Sequence, residues 1–320
     1  MRHLLYIVPT LLALWFLDQV LSRDRSLGWE RNAMRGYEWR WTKADGRGVL
    51  LLGSSTAVDW LPPEYLAPLL GVGRGEILDA HVNGCQQDCA HAIVRRAAQE
   101  QRRFDLAIFG VNQYQQCDDH HPKRILQQHT LLPTRDLPRA LALHARGDQP
   151  LLAAGRFLGN VLSGAYGDTQ ALRSQWREQL LGKPDPQRSH RWYRPDPPPR
   201  PPPPFCDYAP AHVAYKLAVT AALLDDLGQR SDRVVLVLLP DISLADLRDP
   251  ARAAAWQAHR DIHRQLAAER PFVTLIDLSQ GGAHEPADFS DGHHLSRRGK
   301  QIQQRLFAEQ LTARLRSGPP

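Results

Sequence analysis

Two short stretches near opposite ends of the chain carry the side chains best suited to covalent chemistry. Gly53-Ser54-Ser55-Thr56 sets two serine hydroxyls directly after an apolar run, and Asp291-Gly292-His293-His294 sets a carboxylate three residues before an imidazole. A serine hydroxyl is a poor nucleophile until a neighbouring base takes its proton. An Asp three residues before a His can hold that ring from within one loop and orient it as the base. Asn83 and Gly84, and Gly110 and Asn112, are further turn and polar residues that gather just after apolar runs. Each also has a plainer explanation: Ser and Thr are favoured helix N-caps, an Asn after a strand is usually a turn residue, and a single His usually lies on the surface. Their joint occurrence at strand ends is what separates the two explanations.

The elements that must position these groups read as alternating strands and helices. Val49 to Leu52 is a continuous apolar run closed by a glycine, the pattern of a strand buried on both faces of a parallel sheet. Glu76 to Val82 reads as the second strand with Asn83-Gly84-Cys85 as its turn, and Asp105 to Phe109 as the third, ending at Gly110 to Gln113. Helices are expected from Pro63 to Leu70, with Pro62 and Pro63 suited to the first turn, and from Ala90 to Gln101, with Ile93, Val94 and Ala97 on one face. Further on come a helix from Ala211 to Leu227, a strand from Arg233 to Leu239 closed by Pro240-Asp241, and an amphipathic helix from Pro250 to Arg270. The strand Val273 to Leu278, a polar loop and a helix from Leu295 to about Arg316 complete the chain. Strand, turn, helix, strand in repetition predicts an α/β fold, a flavodoxin-like three-layer αβα sandwich with a five-stranded parallel sheet. In such sheets ligands bind at the carboxyl ends of the strands, the edge to which Ser54, Ser55, Asn83, Gly84, Gly110, Asn112, Asp288, Asp291, His293 and His294 would all belong.

In this arrangement the chain resembles the SGNH (GDSL-like) hydrolase superfamily. The matching blocks are Gly53-Ser54-Ser55 after the first strand, Gly84 after the second, Gly110-Val111-Asn112 after the third and Asp291-Gly292-His293-His294 near the C-terminus, with Leu295-Ser296 and Gly299 following. The resemblance covers about residues 47 to 315 apart from an insertion. It implies Ser55 as nucleophile, His294 as general base and Asp291 as the residue that orients the imidazole. It further implies an oxyanion hole made by the backbone N–H groups of Ser55 and Gly84 and the Asn112 side-chain amide, with no cofactor and no metal. The Asp-x-x-His spacing selects His294 over His293. Two positions depart from the family pattern: Ser54 stands where an Asp is usual, and Gln113 follows Asn112 in place of an Asp. Within the superfamily the chain is similar to membrane-anchored envelope proteins related to DltD and the alginate acetylation proteins. That implies an extracytoplasmic serine esterase or O-acyltransferase acting on an acylated glycan or lipid, with envelope-assembly proteins as partners. The alternative from another class is a non-catalytic protein of the same fold that binds polysaccharide or scaffolds an assembly system.

The rest of the chain sets the context. Of 320 residues, 18 at Leu4 to Leu21 form an apolar run with one charge, Asp18, at the short limit for a spanning helix. With no small-x-small cleavage site after it, an uncleaved signal anchor over 1–22 is expected, which puts the catalytic domain in the periplasm. A buried amphipathic helix is the other explanation. Residues 23–46 form an Arg- and Trp-rich juxtamembrane segment, suited either to a membrane interface or to packing on the domain. The α/β domain is expected over 47–119 and 211–320. Residues 120–210 form an insertion with helical periodicity and a Pro-rich run, 195–204, that suits polyproline II or a stiff loop; it is a cap over the site or an internal linker. The four cysteines, Cys85, Cys89, Cys117 and Cys206, are compatible with disulfides in an oxidising compartment or with free thiols. The Cys85/Cys89 spacing also suits a helical metal pair, yet nothing completes such a site. A net charge of +6 without basic runs describes an Arg-rich surface and gives no reason to expect nucleic acid.

Overall fold

The computed structural model describes residues 48–58, 60–82, 85–116, 208–247, 249–280, 285–291 and 293–316, together with 40–41, 138, 142 and 206. Five strands, β1 (Val49–Leu52), β2 (Ile77–Asp79), β3 (Phe104–Asn112), β4 (Ser231–Leu239) and β5 (Val273–Asp277), form one sheet in the order β2-β1-β3-β4-β5. All four pairings are parallel. The order reverses between β1 and β3, the crevice in which open parallel sheets bind ligands.

All four residues of β1 are buried, and they alternate between two cores. Leu50 and Leu52 join Phe109, Leu236 and Leu238 on the face covered by α3 (Gln87–Gln99) and α4 (Pro210–Gly228), through Ile93, Val94, Leu223 and Leu227. Val49 and Leu51 join Ile108, Val235 and Val237 on the other face, covered by α2 (Pro63–Leu70) and α6 (Arg297–Arg316) through Leu66, Phe307 and Leu311. Burying each such aliphatic side chain stabilises the fold by about 1.5–3 kcal/mol. Helices therefore cover both faces of an all-parallel five-stranded sheet, an architecture compatible with a flavodoxin-like sandwich. Two more helices, α1 (Ser55–Val58) and α5 (Pro250–Ala268), complete the described set. Pro63 and Pro250 stand at first-turn positions, where the missing N–H costs nothing. Asp249 caps α5 by accepting the Ala251 N–H, and Gly71 closes α2 in the left-handed conformation.

Several boundaries differ from the sequence expectation for identifiable reasons. β3 does not turn at Gly110 but continues to Asn112, because β4 offers a partner as far as Leu239. β2 is shorter than expected: Arg74–Glu76 form a 3₁₀ turn, and pairing ends at Asp79. α3 begins at Gln87, three residues before the apolar periodicity does, since its first turn buries the polar Gln87 and Asp88. Cys85 and Cys89 form a disulfide with Cα atoms 5.3 Å apart, so the metal-pair and free-thiol options fall away for them, and Cys206 is disulfide-bonded as well. Trp41 is buried on the domain: its indole N–H donates to Glu100 Oε2 at 2.7 Å, and the Arg96 and Arg102 guanidiniums lie 5.0 and 4.6 Å from its ring. At this residue the Trp-rich segment packs on protein. Among the described residues no helix is long and apolar enough to cross a membrane. The expected anchor over 1–22 lies outside them, as do nearly all of the 120–210 insertion and its Pro-rich run.

Candidate active site

The turn after β1 is built around Gly53. Its φ is +150°, and a Cβ there would come within 2.6 Å of the Ala57 methyl and 3.3 Å of the His81 ring. Only glycine lets the chain fold this tightly from strand into α1, which brings Ser55 to the carboxyl end of β1 beside Asn112 at the end of β3. The Ser55 N–H is in no backbone hydrogen bond among the described residues.

The second half of the site is a loop after β5. Phe289 and Leu295 form an antiparallel bridge, and the Ser290 N–H donates to the His294 carbonyl at 2.8 Å. The Ser296 N–H donates to the Asp288 carbonyl at 2.8 Å, and Gly299 lets α6 press against that carbonyl, where a Cβ would clash at 2.0 Å. Inside this closed loop Asp291 Oδ1 accepts the backbone N–H groups of His293 and His294 at 2.9 and 2.8 Å. Its other oxygen, Oδ2, lies 2.8 Å from His294 Nδ1, and His294 Nε2 lies 2.9 Å from Ser55 Oγ.

The protonation pattern follows from the partners. Burial alone would raise the Asp291 carboxyl, but the His294 ring and the two backbone donors outweigh it and hold the group far below the usual carboxylate range. An ionised carboxylate only accepts, so His294 carries its proton on Nδ1. Its Nε2 lone pair then faces Ser55, whose hydroxyl donates to it. Serine, imidazole and carboxylate thus form an unbroken relay of the kind that generates a serine nucleophile.

Ser54, at the position where the resembled family has Asp, takes part in a second network that the sequence did not announce. Gln115 Nε2 donates to Ser54 Oγ at 2.9 Å, Ser54 pairs with Thr56 Oγ1 at 2.8 Å, and Thr56 donates to Asn112 Oδ1 at 2.7 Å. Thr56 has one hydroxyl proton and gives it to Asn112, so Ser54 must be the donor to Thr56. Every bond in the chain therefore runs in one direction and fixes the Asn112 amide: the carbonyl is occupied, and Nδ2 faces the other way, 3.5 Å from the Pro240 carbonyl. Asn112 and Ser54 are both buried. Gln113 is spent elsewhere, with Nε2 donating to the Cys206 carbonyl at 2.7 Å.

Of the residues singled out in the sequence, Ser55, Asp291 and His294 meet directly, and Asn112 reaches the same sheet edge. Gly84 and Asn83 lie outside the described residues. His293 sits against His294, ring centroids 4.4 Å apart, with Nδ1 4.0 Å from Asp291 Oδ1. Asp288 is a buried loop residue whose Oδ2 accepts the Glu285 N–H. A second Asp–His pair, missed in the sequence, supports the Gly53 turn from behind: His81 Nδ1 lies 2.7 Å from Asp79 Oδ1, and Arg40 donates to the carbonyls of both residues at 2.6 Å. Burial raises the Asp79 carboxyl, but His81 and Arg40 bring it down to about 2. The alternation Asp-Ala-His at a strand end was the only local signal for this pair. No protein-family model matches the chain, and no curated protein matches it significantly.

Proposed function

We propose that this protein is an SGNH-type serine esterase or O-acyltransferase of the cell envelope. We place it at the outer face of the cytoplasmic membrane through residues 1–22, with an acylated polysaccharide or lipid as substrate. The observation that carries this reading is the relay Ser55–His294–Asp291, joined by a 2.9 Å contact between segments 239 residues apart in sequence. Three side chains, one from the start of α1 and two from the loop after β5, with the polarity of a triad, are hard to reconcile with a cap serine and a surface histidine.

In the proposed reaction His294 Nε2 takes the Ser55 hydroxyl proton as Oγ attacks the ester carbonyl. The imidazolium so formed is held by the Asp291 carboxylate. The Ser55 N–H and an Asn112 N–H stabilise the oxyanion, with Gly84 as the third donor implied by the family resemblance. His294 returns its proton to the leaving alkoxide, and the acyl group remains on Ser55. Water or a sugar hydroxyl, deprotonated by the same ring, then takes the acyl group. The first acceptor makes the protein an esterase, the second a transferase.

Incubation of the full-length protein with a fluorophosphonate probe, followed by peptide mapping, tests the reading. A phosphonyl adduct on Ser55, absent from Ser55→Ala, is expected. A folded wild type that takes up no probe, with cells carrying Ser55→Ala unchanged in envelope acylation, would favour the non-catalytic scaffold instead.

A further inference from the structure

We propose that Asp291, His293 and His294 also form an inhibitory site for a late first-row divalent cation, such as Zn²⁺, which switches Ser55 off by changing the tautomer of His294. The inference rests on the serine-nucleophile reading and adds a regulator to that site.

His293 has no step in the relay, yet its ring lies against that of His294 with the planes tilted by 45°. One ligand atom from each of Asp291, His293 and His294 can be chosen so that all lie within 4.8 Å of one another. The nearest pairs are 2.8 Å (His294 Nδ1 to Asp291 Oδ2) and 4.0 Å (His293 Nδ1 to Asp291 Oδ1). In a tetrahedral zinc site with bonds of about 2.0–2.1 Å, neighbouring ligand atoms stand about 3.3 Å apart. One separation falls below that value and the other above it, each to a different Asp291 oxygen, so a three-ligand set forms by rotation of the histidine side chains. The loop backbone stays fixed, because both histidine N–H groups remain bound to Asp291 Oδ1. Two imidazoles and a carboxylate are the donor set that Zn²⁺ and Cu²⁺ accept and Mg²⁺ or Ca²⁺ does not favour. All three side chains are partly exposed, at 28, 32 and 19 %, so an ion can enter from solvent and keep water in a fourth position.

The consequence for chemistry follows from counting protons on one ring. A metal ion bound at His294 Nδ1 takes the lone pair that appears there only when the proton moves to Nε2. Neutral imidazole has one such proton, so nothing need be released. Nε2 then becomes a donor toward Ser55 Oγ and can no longer accept its proton. Asp291 Oδ2, now a metal ligand, stops orienting the ring. The ion therefore removes the base without touching the serine.

The test uses the full-length protein in detergent, with fluorophosphonate labelling of Ser55 as one readout and equilibrium dialysis against Zn²⁺ as the other. Metal-free wild type and His293→Gln should label at similar rates. Zn²⁺ should slow wild type, and EDTA should restore it. His293→Gln should need at least about 10–100-fold more Zn²⁺ for the same slowing, the loss in affinity that even an outer-sphere ligand partner brings. In dialysis at a free Zn²⁺ concentration that slows only wild type, His293→Gln should bind one ion fewer. Equal sensitivity of the two proteins to Zn²⁺, or equal binding in dialysis, would overturn the proposal. Absence of labelling in both metal-free proteins would instead contradict the nucleophile reading, and dialysis would then decide the ion site alone.

Discussion

Asp291 divides its work between two oxygens: Oδ1 ties the loop backbone and Oδ2 sets the tautomer of His294. Asp291→Asn keeps the size but can present an N–H to the ring and favour the wrong tautomer. Ester hydrolysis should fall by about 10⁴ with folding retained, as checked by steady-state rates alongside circular dichroism. Thr56 acts one step from the chemistry. It donates to Asn112 Oδ1 and so fixes which end of that amide is left for an oxyanion. Thr56→Val should lower kcat by up to about 10²–10³, the worth of one oxyanion donor, while Thr56→Ser keeps the hydroxyl and most of the rate. The two networks differed in how legible they were. Asp-x-x-His is a local spacing that a sequence displays, whereas the Gln115–Ser54–Thr56–Asn112 chain exists only once β1 and β3 lie side by side. Ser54 therefore read as a departure from a family pattern when it is the middle of a hydrogen-bonded line.

At the scale of elements, the β1–α1 turn is the most constrained part of the site. Gly53→Ala would place a methyl 2.6 Å from Ala57 at a φ of +150°. A loss of about 1–3 kcal/mol in a denaturant titration is expected, with activity reduced because Ser55 moves. The start of α3 is held differently. Lys216 of α4 is fully buried, donates to Gln86 Oε1 at 2.7 Å and lies 3.6 Å from the buried Asp88 carboxylate. Lys216→Ala leaves that carboxylate buried without its cation and should cost about 3–5 kcal/mol by the same titration. Apolar periodicity gave Val49–Leu52 and Pro63–Leu70 to the residue but misjudged other ends. Gln87 and Asp88 are polar but inside, and Gly110 looked like a stop while β4 kept its strand going.

Across the whole molecule, the loss of stability between about pH 6.5 and 4 should come from groups remote from the relay. His259 and His263 on α5 are fully buried, and burial is the main reason both are held neutral, His263 down to about 4 and His259 well below the usual value. Unfolded histidine binds a proton near pH 6.5. Between there and pH 4 the unfolded chain holds more protons than the folded one, so stability falls as pH falls, by up to about 1.4 kcal/mol per pH unit for each ring. Asp241 opposes this: burial raises it to about 6, so its contribution is present at low pH and is lost as pH rises from about 4 to 6. Urea titrations should therefore show stability falling as pH falls from about 6.5 to 4, with Asp241 offsetting roughly half of the two-histidine slope below about pH 6. A slope of the opposite sign would contradict the assignment. The five-stranded parallel sheet was legible from runs such as Val49 to Leu52, because a strand buried on both faces advertises itself. The disulfide at Cys85 and Cys89 was not, since two thiols separated by three residues suit a disulfide or free thiols alike.

Whether Ser55 forms an acyl-enzyme is decided by rapid-quench kinetics with p-nitrophenyl acetate followed by intact-mass analysis. A burst of nitrophenol close to one equivalent per protein and an acetyl adduct that maps to Ser55 are expected, both lost in Ser55→Ala. Hydrolysis without a burst or adduct, at the same rate in wild type and Ser55→Ala, would contradict an acyl-enzyme on Ser55.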